Sequence, residues 1–294
     1  MKKIVIRPSK KNEELISLIP VIKFLKENVE NPKIYIIHEN YQRRDLNLMP
    51  FKLDLHGLDL DKTNVPNIHK WSFNNKDLFN IDIYFDFQNE FKSTFLGFTL
   101  RSRERVGTGN WIQKKMLTHF FERPMNDQEL YNKAISTYFE KDIKLDLNNV
   151  NIPKVRADVM KSLGEETYIL LRLESVQQSF DYLELMLDFI SKLGPIKIYG
   201  ISFEGDIDPG GFHKKAQASL NYEGIKVYDH KQLEVLMGQA KGCLTDNAFM
   251  KRFCDTYLVP TLLLSEVEDK NRPDLIPIKN ATEHVDRVLQ FFKL

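Results

Sequence analysis

Charged side chains that could take part in catalysis follow the first apolar run of the sequence. Lys10 and Lys11 come directly before Asn12 and the two carboxylates Glu13 and Glu14. A carboxylate at the start of a helix could act as a general base toward a hydroxyl group. The alternative is a structural helix start, in which Asn12 is the cap and the helix dipole favours the two acids.

A second group of polar side chains follows the apolar run that starts at Ile81. It contains an amide, a lysine, a serine and a cluster of arginines, namely Gln88, Lys92, Ser93, Arg101, Arg103 and Arg105. Guanidinium groups bind phosphate and carboxylate through paired hydrogen bonds, so this cluster could hold an anionic acceptor. Ordinary charge on a solvent-exposed surface is the alternative.

The third candidate is a short polar turn between an apolar run and a helical pattern. It consists of Thr245, Asp246 and Asn247, and Lys251 and Arg252 follow within the helical pattern. Backbone N–H groups at a helix start favour a diphosphate, and either cation would add positive charge. The same three residues are also an ordinary helix N-cap sequence.

Other motifs exclude several kinds of site. Gly107-Thr108-Gly109 lacks the third glycine of a dinucleotide fingerprint, and we predict no strand before it and no helix after it. The sequence has no GxxxxGK[ST] loop and no HExxH motif, and its seven histidines lack metal-ligand spacing. The two cysteines, Cys243 and Cys254, form no CxxC pair, so we predict free thiols. We therefore expect no metal ion and no cofactor.

Composition limits the class of protein. The chain has 294 residues, which suits two domains, and its 42% apolar and 28% charged residues are typical of a globular protein. A formal net charge of +1 gives no basic field for non-specific nucleic-acid binding, so no nucleic-acid partner is expected. No signal peptide or apolar stretch of 18 residues is found, so we expect a cytoplasmic protein.

Alternating strands and helices position these three segments. The chain opens with a strand at residues 3–6, a helix at 12–28 and a strand at 33–38. Later strands are predicted at 168–171, 196–199, 225–227, 242–244 and 261–264, and helices at 180–193, 212–220, 232–240, 248–257 and 282–292. Residues 141–165 lack periodicity and contain Pro153, which is typical of a connection between domains.

We therefore predict an α/β protein with two Rossmann-like, doubly wound domains, at residues 1–150 and 151–294, that face each other across a cleft. In such sheets ligands bind outside the carboxyl ends of the strands, where the strand order reverses. One further possibility left open is that the last helix packs back on the N-terminal domain.

The order of the three polar segments resembles glycosyltransferase family 9, the heptosyltransferases of lipopolysaccharide assembly. The most specific match is the middle segment, where Asp82, Asp86, Gln88, Lys92, Ser93 and Arg105-Val106-Gly107 follow the family signature. In the second half, Leu233-Glu234, Ala240-Lys241, Thr245-Asp246 and Val259-Pro260-Thr261 resemble the family's Leu-Glu helix, Ala-Lys turn, Asp-Thr-Gly loop and Val-Pro-Thr strand. The likeness covers nearly the whole chain.

The resemblance implies a GT-B fold and an inverting, metal-independent transfer of a sugar, such as a heptose from ADP-heptose, to a lipopolysaccharide-type acceptor. The family's base falls on Glu13 or Glu14, and acceptor binding falls on Lys10, Lys11, Gln88, Lys92, Arg103 and Arg105. The nucleotide-sugar side comprises Glu204, Lys231, Thr245, Asp246, Asn247, Lys251 and Arg252. Such an acceptor also implies peripheral contact with the inner membrane.

Three departures from the family pattern leave a second hypothesis open. The Gly-Asp of the family is replaced around Glu13, its Asp-Thr-Gly loop reads Asp246-Asn247-Ala248, and its next histidine is replaced by Lys251 or Arg252. The second hypothesis is therefore an inactive protein that keeps the fold, with or without ligand binding. A sugar-nucleotide epimerase or another Rossmann enzyme is a third possibility, against which the missing glycine fingerprint counts.

Overall fold

The computed structural model of the chain describes residues 1–124, 127–145, 168–174, 182–203, 206, 211–219, 221–266 and 272–293. Its contacts divide the chain into two compact units, Met1–Asn151 and Ile152–Leu294. Within the described residues, no helix is both long enough and apolar enough to cross a membrane.

The first unit is built on a parallel sheet of six described strands. They are β1 (Lys2–Arg7), β2 (Pro32–His38), β3 (Asp54–Gly57), β4 (Ile83–Asp86), β5 (Glu104–Gly107) and β6 (His119–Phe120), in the order β3-β2-β1-β4-β5-β6. Its α-helices are α1 (Leu18–Asn28), α2 (Arg43–Asn47), α3 (Val65–Asn74), α4 (Phe91–Thr99), α5 (Trp111–Met116) and α6 (Asp127–Phe139). Short 3-10 helices lie at Asn12–Ser17, Asn40–Gln42 and Lys76–Leu78.

The helix predicted at residues 12–28 is divided into the 3-10 helix Asn12–Ser17 and helix α1. Pro20 is the third residue of α1, where a backbone N–H has no partner within the helix. In one α-helix that started at Asn12, position 20 would instead have to donate a hydrogen bond to the carbonyl of Ile16, which proline cannot do. The proline therefore favours a new helix start near residue 18.

The sequence did not predict strands β3, β5, β6 and β12 because each has only two to four residues. Strand β5 contains Glu104 and Arg105, and β6 has only two residues. Strand β5 and helix α5 flank Gly107-Thr108-Gly109, so the prediction of no strand and no helix around this segment is wrong. The capping box of Asn110 and Gln113, in which each side chain bonds to the other's backbone N–H, was the sequence signal for α5.

The second unit repeats the same topology. Its strands are β7 (Tyr168–Arg172), β8 (Lys197–Phe203), β9 (Tyr222–Val227), β10 (Ala240–Thr245), β11 (Thr261–Ser265) and β12 (Leu275–Pro277), in the order β12-β11-β10-β7-β8-β9. Its described α-helices are α7 (Leu183–Lys192), α8 (Phe212–Ala216), α9 (His230–Gln239), α10 (Ala248–Thr256) and α11 (Val285–Phe292), and a 3-10 helix at Ile278–His284 precedes α11.

The last helix, α11, packs within the second unit. Val288 and Phe292 are buried in an apolar cluster with Ile169 of β7 and Leu244 of β10. A side chain at Gly242 would collide with the Phe292 ring, because a Cβ atom there would lie 2.0 Å from Cε1. These contacts tie α11 to the second sheet, whereas the sequence had left packing on the N-terminal domain open.

Counted from its own first strand, each sheet has the order 3-2-1-4-5-6. The chain therefore reverses direction across the sheet between β1 and β4 in the first unit, and between β7 and β10 in the second. At such a switch point two loops leave neighbouring strands in opposite directions and open a crevice for a ligand. The predicted α/β class with two doubly wound parallel sheets is confirmed.

Candidate active site

The switch point of the first sheet joins the carboxyl ends of β1 and β4. Arg7 ends β1 and Asp86 ends β4, and the two residues are paired in the parallel ladder. Both side chains are buried. The loops that follow carry Lys10, Glu14 and Gln88, so the first two polar segments found in the sequence start at one edge of the sheet.

Arg7 forms a buried ion pair with Glu39, the residue that follows β2. Its Nη2 donates to the Glu39 carboxylate and to the carbonyl of Leu58, 3.1 Å away. Burial raises the pKa of Glu39, and the positive charge of Arg7 opposes this rise. Nε and Nη1 of Arg7 have no hydrogen-bond partner among the described residues. Sequence analysis did not identify this pair, because its members are far apart along the chain.

The Asp86 carboxylate is held by three donors. It accepts hydrogen bonds from Ser93 Oγ at 2.6 Å, Thr94 Oγ1 at 2.8 Å and the backbone N–H of Gln88 at 3.0 Å. Burial raises the pKa of Asp86. The Gln88 side chain is itself buried, and neither of its amide atoms has a partner in the described part of the chain. Gln88 therefore has hydrogen-bonding capacity left for a ligand, which keeps its predicted role open.

The predicted lysines of the first unit lie near this edge, but each already has a partner. Lys10 Nζ is 2.6 Å from Asp61 Oδ1 and 2.7 Å from Glu90 Oε1. Lys92 Nζ donates to the carbonyl of Leu60 at 2.8 Å. These contacts join the loops that follow β1, β3 and β4, so the two lysines stabilise the edge whether or not they also bind an acceptor.

Of the two candidate bases, the structure describes the side chain of Glu14. It lies in the 3-10 helix Asn12–Ser17 and is 4% exposed, and its Oε1 is 3.1 Å from Nζ of the exposed Lys11. Glu13 belongs to the same 3-10 helix. The carboxylate of Glu14 thus lies in the 3-10 helix that follows β1, beside a neighbouring cation.

The structure does not bring Arg103 and Arg105 to this edge. Arg103 precedes β5 and is exposed, and its Nη1 lies 3.7 Å from Oδ1 of Asp82, which precedes β4. This contact marks the amino end of the sheet. Arg105 donates from its guanidinium to the carbonyls of Ser102 and Met116.

A pocket that sequence analysis missed opens at the carboxyl ends of β5 and β6. Its volume is about 440 Å³, and it is lined by Asn89, Thr108, Gly109, Asn110, Gln113, Phe120, Glu122 and Arg123. Amides, a hydroxyl, a carboxylate and an aromatic ring together can bind sugar hydroxyls and stack on a sugar face. Because the pocket is built from loops after three different strands, no single sequence motif marks it.

The switch point of the second sheet joins the carboxyl ends of β7 and β10. Arg172 ends β7, Thr245 ends β10, and the two are paired in the ladder. Arg172 is buried, and its Nη1 is 2.9 Å from Oδ2 of Asp206. Its guanidinium also lies over the Phe203 ring, 4.7 Å from the centroid. This arginine therefore has an internal counter-ion, as Arg7 has in the first sheet.

The predicted Thr245, Asp246 and Asn247 come together at the start of helix α10. Thr245 Oγ1 accepts from the N–H of Asn247 at 3.0 Å, and Asn247 caps the helix by accepting from the N–H of Met250 at 2.7 Å. Glu174 joins this group: its N–H donates to Asp246 Oδ1 at 2.6 Å, and its carboxylate accepts from Asn247 Nδ2. Sequence analysis missed Glu174, which is 73 residues from Asn247.

The predicted cations of the second unit differ from one another in pairing and exposure. Lys251 Nζ is 3.0 Å from Asp255 Oδ2 and 3.1 Å from Asp274 Oδ2. Arg252 is partly exposed on α10, and Lys231 is exposed on the first turn of α9. The predicted ribose contact, Glu204, lies outside the described residues.

The ion pairs of Asp274 with Lys251 and Arg272 make a pH-dependent contribution to stability. Hydrogen bonding to Arg272, followed by contact with Lys251, lowers the pKa of Asp274 to about 2. A lowered pKa in the folded state stabilises the protein above the ordinary value of 3.8, and this stabilisation is lost as the pH falls toward 2. Because the group is partly exposed, we expect about 1 kcal/mol or less.

The variant Asp274→Asn tests this contribution. At pH 5 the variant should unfold at a lower temperature than the parent protein. This difference in unfolding temperature should shrink steadily between pH 4 and pH 2. Asp188→Asn is a matched control, because Asp188 pairs with Lys192 on the exposed face of α7. A difference that stays constant across this range would contradict the assignment.

Comparisons with known proteins give structural relatives only. No family model and no curated protein sequence matches the chain. Among solved structures, E. coli heptosyltransferase WaaC with ADP-2-deoxy-2-fluoro heptose is 13% identical, with a TM-score of 0.64 over 99% of both chains. E. coli ADP-heptose lps heptosyltransferase II is 13% identical, with a TM-score of 0.60 over 100% of this chain and 99% of that one. The S. aureus MnaA–UDP co-structure is 13% identical, with a TM-score of 0.57 over 99% and 90%.

These matches cover both units of the chain and nearly all of each relative. They bear out the resemblance to heptosyltransferases that was based on the three polar segments. Identity of 13% establishes a common fold rather than a common activity. The chain therefore has the GT-B fold of these heptosyltransferases, with two doubly wound Rossmann-like sheets.

Proposed function

We propose that the chain is a glycosyltransferase that moves a sugar from a nucleotide diphosphate donor to an acceptor hydroxyl. The observation that carries this proposal is the end-to-end match to a heptosyltransferase that was solved with an analogue of its sugar donor. ADP-heptose is accordingly the donor to test first, and a lipopolysaccharide-type molecule at the inner face of the inner membrane is the acceptor class that the resemblance favours.

The first unit supplies the acceptor side in this proposal. Glu13 and Glu14 lie in the 3-10 helix that follows β1, and neither amide atom of Gln88, which follows β4, has a partner among the described residues. The pocket of about 440 Å³ beyond β5 and β6 adds amide and carboxylate groups suited to sugar hydroxyls. Arg103 has no part in this arrangement, because it pairs with Asp82 at the amino end of the sheet.

The proposed chemistry is a single inverting displacement. A glutamate carboxylate takes the proton of the acceptor hydroxyl as its oxygen attacks the anomeric carbon. The bond from that carbon to the diphosphate breaks, and the diphosphate leaves with the bonding electron pair. Helix α10 and Arg252 on its first turns would stabilise the departing charge, so the proposal includes no metal ion.

A second candidate function is a catalytically inactive protein that keeps the fold and binds a nucleotide or sugar. The contacts of Lys251 favour it, because this cation already neutralises Asp255 and Asp274. A cation engaged by two carboxylates has less free energy to offer a departing diphosphate than an unpaired one.

Calorimetric titration distinguishes these possibilities at the level of binding. The full chain is titrated with ADP, UDP and GDP and with the corresponding sugar nucleotides, and thermal unfolding is measured in parallel. We expect an adenine nucleotide to bind and to stabilise the chain, by about 2.7 kcal/mol at a concentration a hundredfold above Kd. A folded chain that binds none of these ligands would exclude the transferase, and binding without any transfer or hydrolysis would favour the inactive protein.

A further inference from the structure

Large apolar side chains that are exposed to solvent are concentrated on three helices of the first unit. Of the eleven in the described part of the chain, six lie on the short helices α3, α4 and α5. They are Val65, Phe73, Phe91, Phe98, Trp111 and Ile112, and Trp111 is 69% exposed. Single exposed apolar residues are ordinary on a protein surface, but a concentration of this kind marks an interaction surface.

Helices α3, α4 and α5 form one layer on the first sheet. Ile68 of α3 and Leu96 of α4 are buried in one apolar cluster with Val5 of β1. Helix α5 joins this layer through Gln113, whose Nε2 donates to Thr94 Oγ1 of α4 at 3.3 Å. Helices α1 and α6 contact each other instead. The six exposed apolar side chains therefore lie on neighbouring elements of the unit.

The charged side chains of these three helices are all positive. The helices contain no aspartate and no glutamate, and they contain Lys70, Lys92, Lys114 and Lys115. By contrast, α1, α2 and α6 each contain at least one acidic residue. Lys70, Lys114 and Lys115 are exposed, and no ion pair joins them to another described residue. Such cations are available to neutralise negative charge on a partner surface.

Helix α5 places tryptophan and lysine side by side. Lys115 Nζ lies 5.1 Å from the centre of the Trp111 ring, and Ile112 and Lys114 are exposed on the same helix. Tryptophan is favoured at the boundary of a bilayer, and lysine is attracted to anionic headgroups. Protein–protein interfaces, in contrast, are depleted in lysine. Two copies of this surface would bring lysines together, which also disfavours self-association.

We propose that the layer of α3, α4 and α5 is a docking surface for an anionic lipid bilayer. The aromatic side chains enter the headgroup region, and the lysines pair with lipid phosphates. Helix α5 also carries Gln113, which lines the pocket of about 440 Å³. A bilayer bound at this layer therefore brings lipid headgroups close to that pocket. The inference rests on the proposed function for the membrane-bound acceptor, whereas docking itself depends only on the surface.

Vesicle flotation measures docking with the full chain and without a nucleotide. We expect the chain to bind vesicles of equal parts phosphatidylglycerol and phosphatidylcholine at low salt, and vesicles of phosphatidylcholine alone at least about tenfold more weakly. Lys114→Gln combined with Lys115→Gln should reduce binding to the mixed vesicles by about tenfold, because two cations near the headgroups are lost. Trp111→Ser should also reduce it by about tenfold, because a large apolar ring no longer enters the headgroup region.

Two matched controls come from the second unit. Lys214→Gln combined with Lys215→Gln removes two adjacent exposed lysines from the short helix α8. Tyr228→Ser removes an exposed aromatic ring whose centre lies 5.3 Å from Lys226 Nζ. Both controls should bind the mixed vesicles within about twofold of the parent chain, because their changes lie outside the layer. Thermal unfolding verifies that each variant is folded.

A parent chain that does not float with the mixed vesicles would overturn the inference. Variants of α5 that bind as well as the parent chain, or that lose no more binding than the controls, would overturn it too. A parent chain that elutes as a dimer in size-exclusion chromatography and binds no vesicles, with Trp111→Ser eluting as a monomer, would make the layer an interface between copies of the chain.

The result is separable from the test of the proposed function. If the chain binds anionic vesicles through α5 but binds no sugar nucleotide, the docking surface is real and the transferase proposal fails. If sugar nucleotides bind but vesicles do not, only the docking surface fails.

Discussion

Replacing Arg7 with methionine is expected to lower the free energy of unfolding of the first unit by about 3–5 kcal/mol. Arg7 and Glu39 form an ion pair in which both side chains are almost fully buried. Methionine fills much of the same volume but leaves the Glu39 carboxylate buried without its cation. That loss is a large part of the total stability of a typical domain, which is about 5–15 kcal/mol.

Urea unfolding, followed by tryptophan fluorescence, measures this loss of stability in the first unit. Both tryptophans of the chain, Trp71 and Trp111, lie in the first unit, and Trp71 packs against the apolar cluster of its sheet. The double variant Arg7→Met with Glu39→Gln should recover most of the loss, because no unpaired charge remains buried. A double variant as unstable as Arg7→Met would instead assign the loss to packing.

The pair of Lys33 and Asp54 provides the surface control for this prediction, because it lies in the first unit with both tryptophans. It joins two exposed side chains, with Lys33 Nζ 3.8 Å from Asp54 Oδ2. Lys33→Met should change stability by less than about 1 kcal/mol, because exposed ion pairs contribute little. In both variants methionine replaces the cation of an ion pair, so the contrast between Arg7→Met and Lys33→Met isolates the effect of burial.

In both sheets, the arginine that ends the first strand is neutralised by a carboxylate in the same way. Arg7 ends β1 and pairs with the residue after β2, and Arg172 ends β7 and pairs with Asp206, which follows β8. Each partner comes from the loop after the neighbouring strand. A buried arginine at each switch point thus binds an internal carboxylate.

The sequence predicted the long, buried strands well and the short edge strands poorly. Ile4-Val5-Ile6 in β1 is fully buried and strongly apolar, so its pattern is unambiguous. Strand β3 contains Asp54 and His56 and has no such pattern. Its place in the sheet depends on pairing with β2, which local sequence does not encode.

The site shows the same division between local and long-range information. The cap of α10 by Asn247 was predictable, because an N-cap is a local pattern. The contacts of Arg7 with Glu39 and of Glu174 with Asn247 join residues 32 and 73 positions apart. Only the strand order brings these residues together, so no spacing rule could have identified them.

Glu14→Gln is expected to lower the rate of sugar transfer by about 10²–10⁴-fold. Glutamine keeps the size and the hydrogen-bonding oxygen of the side chain. It cannot take the proton from the hydroxyl group of the acceptor substrate. Glu14 is the first candidate base to test, because its carboxylate is buried and its Oε1 lies 3.1 Å from Lys11 Nζ. The rate is measured with the sugar nucleotide that calorimetric titration identifies.

Glu13→Gln is the matched control for this assignment, since it removes the same charge from the adjacent residue of one 3-10 helix. Its rate should fall by less than about tenfold, and donor affinity should hardly change in either variant, because a general base acts on the transition state rather than on donor binding. A large loss in Glu13→Gln alone would move the base to Glu13. Small, equal losses in both variants would make the two acids structural residues of the helix start, and the first unit would then lack a base for the proposed transfer.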